Sequence, residues 1–600
     1  MATLDWIIVA AYLVAAVLIG IGFARRANQG TTDFFVAGRS LPWYVAGTSM
    51  VATTFSSDTP LFVAGAVRED GIYANWIWWS GAIGIMVSVF FFAGLWRRTK
   101  AVTEIELIAQ RYDKGPPADA LRVAKALFDG VFVNCIVMAS VTLAMGKIVV
   151  VILDLSDAPV LMLPVIGGVA PATLVLAVLG AGAVLYTILS GMYGVVYTDL
   201  IQFGLAMTGA VALFAIVNAD LAASGGFAAS VAAAAGPEAA TLAVFPEIGW
   251  NLETATLVIL LTVGWWGAAP GSGYFVQRVL ATRSERDALL SVYWYAFCHF
   301  ALRSWPWILV GAASLVYFPV LADPEQAYPH MIERFLPAGI KGVMVASLLA
   351  AFMSTLDTHM NWGASYLVND VYSPYLARGR SPRHYVRAAR VAMLGLVAFA
   401  VAAAAQLDSI LGVYKYLAVV LSGPAFVAIA RWYWWRINIY SELCALATAV
   451  VVGNAMLVLL ADAPGEDWFA VRMLATVAIT SAVAIAVTLL TSKHGPTRQA
   501  VVFYTRMKIH GPGWARVARL TGVDPLPGGL GVNLVACLAS IALLFALLLG
   551  TGYALMGHWG PFTGCATVAS ASVLVLARFL PQALAQLRHP VNEGQPPRRR

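Results

Sequence analysis

Ser354 and Thr355 follow Ala351 by one helical turn in the apolar run LLAAFMSTLDTHMN. Positions i, i+3 and i+4 share one helix face. Two hydroxyls and a carbonyl on one face are the oxygen donors that a hard alkali cation takes. A second set lies in VATTFSSDTP (51–60), where Pro60 removes an N–H and disfavours helix in the residue before it. Carbonyls near Ala52–Phe55 would then lose their helical donors, and the two segments laid together would form a sodium cage. The competing account is that Ser354 and Thr355 bond back to their own helix.

Such groups need elements that hold them at one depth, and the composition says which. Of 600 residues, 60% are hydrophobic and 12% charged, with a mean hydropathy of +0.78; soluble domains carry about 25% charged residues. A membrane-spanning helix needs about 20 mostly apolar residues. Hydropathy predicts about fifteen such spans, near 5–23, 43–67, 75–96, 122–152, 172–190, 194–218, 253–280, 288–318, 341–370, 386–407, 410–431, 438–461, 468–491, 530–556 and 561–582. The chain reads as one all-α, polytopic membrane domain. The first stretch is a retained helix rather than a signal peptide, because Asp5 precedes it and Arg25-Arg26 follow it.

Lys and Arg concentrate in alternate loops: Arg25-Arg26, Arg97-Arg98-Lys100, Arg283-Arg286, Arg378-Arg380-Arg383, Arg431-Arg436, Lys493–Arg519 and the tail Arg598-Arg599-Arg600. The other loops carry Arg68-Glu69-Asp70, Asp323, Glu325, Asp462, Glu466 and Asp467. By the positive-inside rule the N-terminus lies outside and the C-terminus in the cytoplasm, the setting being the cell's inner membrane. The net charge of +7 is thus spent on orientation and not on nucleic acid. Cys135, Cys298, Cys444, Cys537 and Cys565 all fall inside spans without disulfide or metal spacing, and read as small core residues.

Two spans are interrupted. The second carries the polar knot Thr53–Pro60; the seventh reads VGWWGAAPGSGYFVQR, with Gly264, Gly267, Pro270, Gly271 and Gly273. Irregular backbone survives at membrane depth only where protein or a polar cavity satisfies it. The breaks lie five spans apart, so the two helices run in opposite directions, which is the pattern of an inverted-repeat transporter with its sites at the breaks. Gly and Pro are also common in ordinary spanning helices, which is the plainer account.

The segments DFFVAGRSLPW (33–43), ATTFSSDT, SGMYGVVYTDLIQ (190–202), VQRVLATRS (276–284) and GVMVASLLAAFMSTLDTHMN together resemble the sodium:solute symporter family over roughly residues 5–435. The resemblance implies a LeuT-type core of five plus five inverted helices. It would comprise an extra N-terminal helix (5–23), a first repeat (43–218), a second repeat (253–431), accessory helices (438–582) and a cytoplasmic tail (583–600). It implies sodium as the coupling ion, held by the carbonyls of Ala52, Phe55 and Ala351 and the hydroxyls of Ser354 and Thr355. Asp199, in TDLIQ, matches the family's carboxylate near that site, and an ionisable group at membrane depth is a functional candidate by default. Asp357 stands where relatives with a second sodium place a hydroxyl. With Ser56, Ser57 and Asp199 it would complete a second cation site or take a proton, whereas His359 reads as a satisfied interior histidine.

The solute pocket is expected between the breaks, lined by Thr54, Asp58, Thr59, Trp78, Trp265, Trp266 and Ser272, though the tryptophans also read as packing. The sugar carriers' sugar-binding carboxylate falls on Ile77 here, which weakens a sugar reading. Arg303 would receive a substrate carboxylate or pair with an internal acid such as Asp129. The expected function is inward symport of sodium and a small polar solute by alternating access, amino acid or organic acid ahead of sugar. Proton coupling is the variant. A polytopic membrane enzyme is the rival class, but the chain has no HExxH, GxSxG or P-loop and its eight histidines are scattered. A transporter-like sensor would need an appended signalling domain, for which the run after Gln582 is short.

Overall fold

The computed structural model describes residues 1–27, 31–155, 161–163, 167–169, 171–236, 241–461, 467–526 and 529–588. Asp462, Glu466 and the tail arginines Arg598–Arg600, used above for orientation, lie outside them.

The first span is α1 (Thr3–Ala27). The second is broken as expected into α2 (Trp43–Phe55) and α3 (Asp58–Asp70). Ser56, between them, takes φ +36°, a left-handed value that a residue with a Cβ adopts at a cost. A helix over 72–91 follows, then α4 (Asn134–Leu153). A short helix forms at Glu106–Arg111.

The fifth and sixth expected spans are continuous in one helix, α5 (Pro171–Ala223). Two apolar stretches lie within it, Pro171–Leu185 and Met192–Ala223. The boundary expected in SGMYG fails to form because glycine costs only about 1 kcal/mol in a helix and no proline stands there. A small antiparallel ladder, Leu161–Leu163 on Gly167–Val169, precedes this helix.

The seventh span is also broken. It consists of α6 (Leu252–Ile259), a π turn Leu260–Gly264, non-helical chain over 265–272, and α7 (Gly273–Ala281). Next come α8 (Glu285–Ala296), α9 (Ser304–Tyr317), α10 (Ile340–Tyr366), α11 (Ile410–Ser422), α12 (Ile439–Leu459), α13 (Leu530–Leu555) and α14 (Trp559–Ala585). Among the described residues nine helices pass by themselves as spans, and α11 with Ala425–Tyr433 makes a tenth, bent by 43°. The count differs from fifteen because the two broken spans are interrupted, the helices Thr3–Ile19 and Pro171–Leu185 are short in apolar length, and α8 and α9 are parted by a π turn at Phe297–Leu302.

α10 forms the centre, with 78% of its span window buried against 11% for α14. It is packed by α1, α2, α4 and α5. A helix buried on all sides normally needs apolar side chains throughout. α10 instead buries Ser354, Thr355, Asp357, Thr358, His359 and Asn361, and those polar groups must find partners inside the protein. α13 and α14 form a hairpin at the edge, against the helix 81–91 and the π turn Phe297–Leu302.

Candidate functional site

The polar stripe of α10 faces the break between α2 and α3. Because α2 stops at Phe55 and Ser56 makes no capping hydrogen bond, the carbonyls of the last turn lose their intrahelical donors. Thr355 Oγ1 lies 3.0 Å from the Thr53 carbonyl and 3.0 Å from that of Ala351. The hydroxyl therefore back-bonds within α10, as the plainer account held, and also reaches the broken helix. Three oxygens from two elements converge here, with no nitrogen or sulfur among them, a donor set that suits a hard cation.

Ser354 donates to Asp199 Oδ1 at 2.6 Å. Ser49 donates to Asp199 Oδ2 at 2.5 Å, and Arg278 Nη2 stands 3.8 Å from the same oxygen. Arg278 also donates to Ser49 Oγ (3.2 Å), Thr53 Oγ1 (3.4 Å) and Thr358 Oγ1 (2.6 Å). Asp199, Arg278 and Ser354 are all fully buried. Arg278 sits in the segment VQRVLATRS, yet its role was not foreseen, nor were those of Ser49, Thr53 and Thr358. Arg278 lies 229 positions from Ser49 and 80 from Thr358, where no local signal reaches.

Ser56, Ser57, Asp199 and Asp357 are joined by no hydrogen bond to one another among the described residues. Ser57 donates to the Val141 carbonyl at 3.2 Å, and Ser56 Oγ is buried without a partner. Asp357 Oδ1 accepts from Thr358 Oγ1 at 3.2 Å, while its Oδ2 is buried without a partner. His359 Nδ1 lies 2.6 Å from Asn134 Oδ1, a satisfied interior histidine.

On the solute side, Thr54 Oγ1 lies 3.0 Å from His299 Nδ1, and Trp78 stacks on Phe300 and meets His299 edge-on. Arg303 is fully buried. Its guanidinium donates to His299 Nδ1 (2.5 Å), the His299 carbonyl (3.2 Å) and the Val51 carbonyl (3.3 Å), and lies over the rings of Phe55 and Trp307. It does not pair with Asp129, whose carboxylate holds Lys125 at 2.9 Å. No carboxylate stands within ion-pair distance of Arg303 among the described residues. Asp58 opens α3 and accepts from the Thr59 hydroxyl at 3.4 Å, while Thr59 also donates to the Thr54 carbonyl. Trp265 and Trp266 are half-buried at the second break, and Ser272 is exposed.

The second break is held at both edges. Trp96 Nε1 donates to the Pro270 carbonyl at 2.5 Å. The Gly273 N–H donates to Glu104 Oε2 at 3.0 Å, an oxygen that also accepts from Tyr366. Glu104 Oε1 pairs with Arg431 at 3.2 Å. Arg431 in turn faces Glu442 of α12 at 3.5 Å.

The family model described as "Sodium:solute symporter family" matches residues 34–449. A sodium/glucose cotransporter of Vibrio parahaemolyticus is 26% identical over 69% of this chain and 77% of its own length. A sodium/sialic acid symporter of Proteus mirabilis is 24% identical over 65% and 75%. A sodium/proline symporter of Haemophilus influenzae is 25% identical over 80% and 94%. Among solved structures, a Na+-coupled sialic acid symporter in its substrate-bound outward-open state superposes with a TM-score of 0.63 at 22% identity. That superposition covers 83% of this chain and 99% of the other, and shows the LeuT-type fold expected from the sequence.

Proposed function

This chain belongs to the sodium:solute symporter family, and from that premise we propose that its solute carries a carboxylate, an amino acid or organic acid rather than a sugar. Sodium is the coupling ion of the family, and the chain is a multi-pass membrane transporter and not an enzyme. The similar proteins are named for glucose, sialic acid and proline, which leaves the solute class to be argued from the pocket.

The observation that carries the reading is Arg303. A guanidinium buried in the membrane with only neutral hydrogen-bond acceptors, and no carboxylate within ion-pair distance among the described residues, has lost its hydration without a paired counter-charge, a state that costs several kcal/mol. An arriving carboxylate supplies that charge, and a sugar does not. Thr54, Asp58, Thr59, Trp78, Trp265, Trp266 and Ser272 are the remaining pocket candidates, with His299 added by its contacts to Thr54 and Arg303.

In this reading sodium is held by the carbonyls of Ala52, Phe55 and Ala351 and the hydroxyls of Ser354 and Thr355, and joins the broken helix to α10. Asp199 draws the cation electrostatically through Ser354. Asp357, with one oxygen unpartnered, takes a second cation or a proton. Residues 43–218 and 253–431 are the two repeats that rock about the site, with 438–582 accessory to them and the N-terminus outside in the inner membrane. One sodium moving inward at about 100 mV contributes about 2.3 kcal/mol before any concentration gradient.

The test is uptake into proteoliposomes under an imposed sodium or proton gradient, with radiolabelled amino acids, organic acids and sugars. Sodium-driven uptake of a carboxylate is expected, with Arg303→Gln raising its half-saturation concentration at least tenfold. Uptake of a neutral sugar, unaltered in Arg303→Gln, overturns the proposal.

A further inference from the structure

A cavity of about 610 Å³ opens between α8, α13 and α14, away from the transport site. Its wall is apolar, with Leu543 of α13 and Val573, Leu576, Leu580 and Leu584 of α14, and its one charged group is Arg286. Three features of its surroundings point to one kind of occupant.

First, Arg286 is exposed and has no acidic partner among the described residues, because both neighbouring carboxylates are already engaged. Glu285 is held by Arg98 through two bonds of 2.9 and 2.6 Å, and Asp287 is held by Arg283 at 2.7 Å. The rim therefore bears an uncompensated positive charge. Second, Pro581 lies inside α14 and removes the N–H that would bond the carbonyl of Ala577. Both residues line the cavity, so the turn that lacks this helical bond belongs to its wall. At membrane depth a carbonyl without its helical donor needs a partner. Third, the chain's own C-terminal run cannot serve as the occupant on charge grounds. Residues 589–600 carry three arginines against one glutamate, and like charge would be set against Arg286.

We infer that this cavity is a binding site for an anionic phospholipid. The acyl chain lies along the leucine wall of α13 and α14, the phosphate meets the Arg286 guanidinium, and a headgroup hydroxyl or ammonium donates to the Ala577 carbonyl. An apolar trough ending in a basic group between helices is the arrangement that holds anionic headgroups. The site is independent of the solute and sodium assignments, since it shares no residue with them.

Native mass spectrometry of the purified full-length chain tests this, with phosphatidylglycerol and phosphatidylcholine of matched acyl chains added at equal concentration. Phosphatidylglycerol should be retained about fivefold over phosphatidylcholine, the ratio expected for one well-placed arginine. In Arg286→Gln that preference should fall to about parity. Ala577→Trp, which fills the trough and leaves Arg286 in place, should also lose it; each variant is checked for an unchanged melting temperature in detergent. Equal retention of both lipids by the unaltered chain overturns the proposal. So does a preference that persists in both variants, or a cavity filled by a second copy of the chain in place of lipid.

Discussion

Ser354 and Asp199, 155 positions apart, share a hydrogen bond of 2.6 Å at the centre of the protein. This bond ties the central helix α10 to α5, while the next residue, Thr355, ties α10 to the broken helix. Adjacent hydroxyls thus link three elements, and any cation at Thr355 lies within one residue of a carboxylate-bound serine. That arrangement gives the site both neutral oxygens and a nearby negative charge.

The double variant Ser354→Ala, Thr355→Ala removes both hydroxyls and leaves the backbone carbonyls. Its half-saturation for sodium should rise tenfold or more, a loss of about 1.4 kcal/mol or greater, with the protein still inserted in the membrane. Sodium-dependent uptake measured over a sodium titration checks this. Unchanged sodium affinity would rule out the cage.

Asp199→Asn keeps the size of the side chain and removes its charge, leaving Arg278 buried without its carboxylate. Breaking a buried pair from one side costs about 3–5 kcal/mol, so the melting temperature should fall sharply and transport should be lost. Adding Arg278→Met should recover much of the stability, since the pair is then removed together, but not the transport. A double variant no more stable than Asp199→Asn would mean that Asp199 and Arg278 are not energetically coupled.

Much of this architecture was legible because the bilayer imposes a coarse code. Long apolar runs marked the helices, and Pro60, Pro270 and the glycines around 271–273 marked the breaks, since each removes a donor or admits a positive φ. The fused α5 was not legible: SGMYG resembles a boundary, yet it contains no residue that stops a helix. In the site, the face formed by Ala351, Ser354 and Thr355 could be drawn from helical spacing alone. Arg278, Ser49 and Glu104 could not be given roles, because their partners belong to other helices and only packing brings them together. Asp5 shows the same limit. It was read as the start of a span, whereas its carboxylate accepts from the Gly339 and Gly342 N–H groups at 2.8 Å each.

Asp5 thereby caps α10 from the extra N-terminal helix. Two of the orphan donors at the start of the central helix depend on it. Asp5→Ala should cost about 1–2 kcal/mol and lower the melting temperature, with sodium affinity unchanged because the cation site lies four turns away. Thermal unfolding followed beside sodium titration checks both halves. A weakened sodium affinity at full stability would show that α1 acts on the site and does not merely anchor α10.

Gly273 opens α7 at φ +60° and gives its N–H to Glu104, so the second break depends on a backbone conformation that glycine adopts freely. An added Cβ would stand 2.8 Å from Trp362 Cζ2, and the left-handed conformation itself costs a non-glycine residue about 1–2 kcal/mol. Gly273→Ala should therefore lower the maximal rate of uptake more than it changes sodium affinity, because the strain falls on the hinge and not on the α2–α10 oxygens. Trp362→Phe in the same chain makes room for the methyl group but leaves φ unchanged, so it should restore stability in part and the rate little. Glu104→Gln supplies the contrast, since it keeps an acceptor for Gly273 but removes one of the two carboxylates that face Arg431. If Gly273→Ala transports at the unaltered rate, the left-handed turn at the second break is dispensable and the hinge must lie elsewhere in residues 265–272.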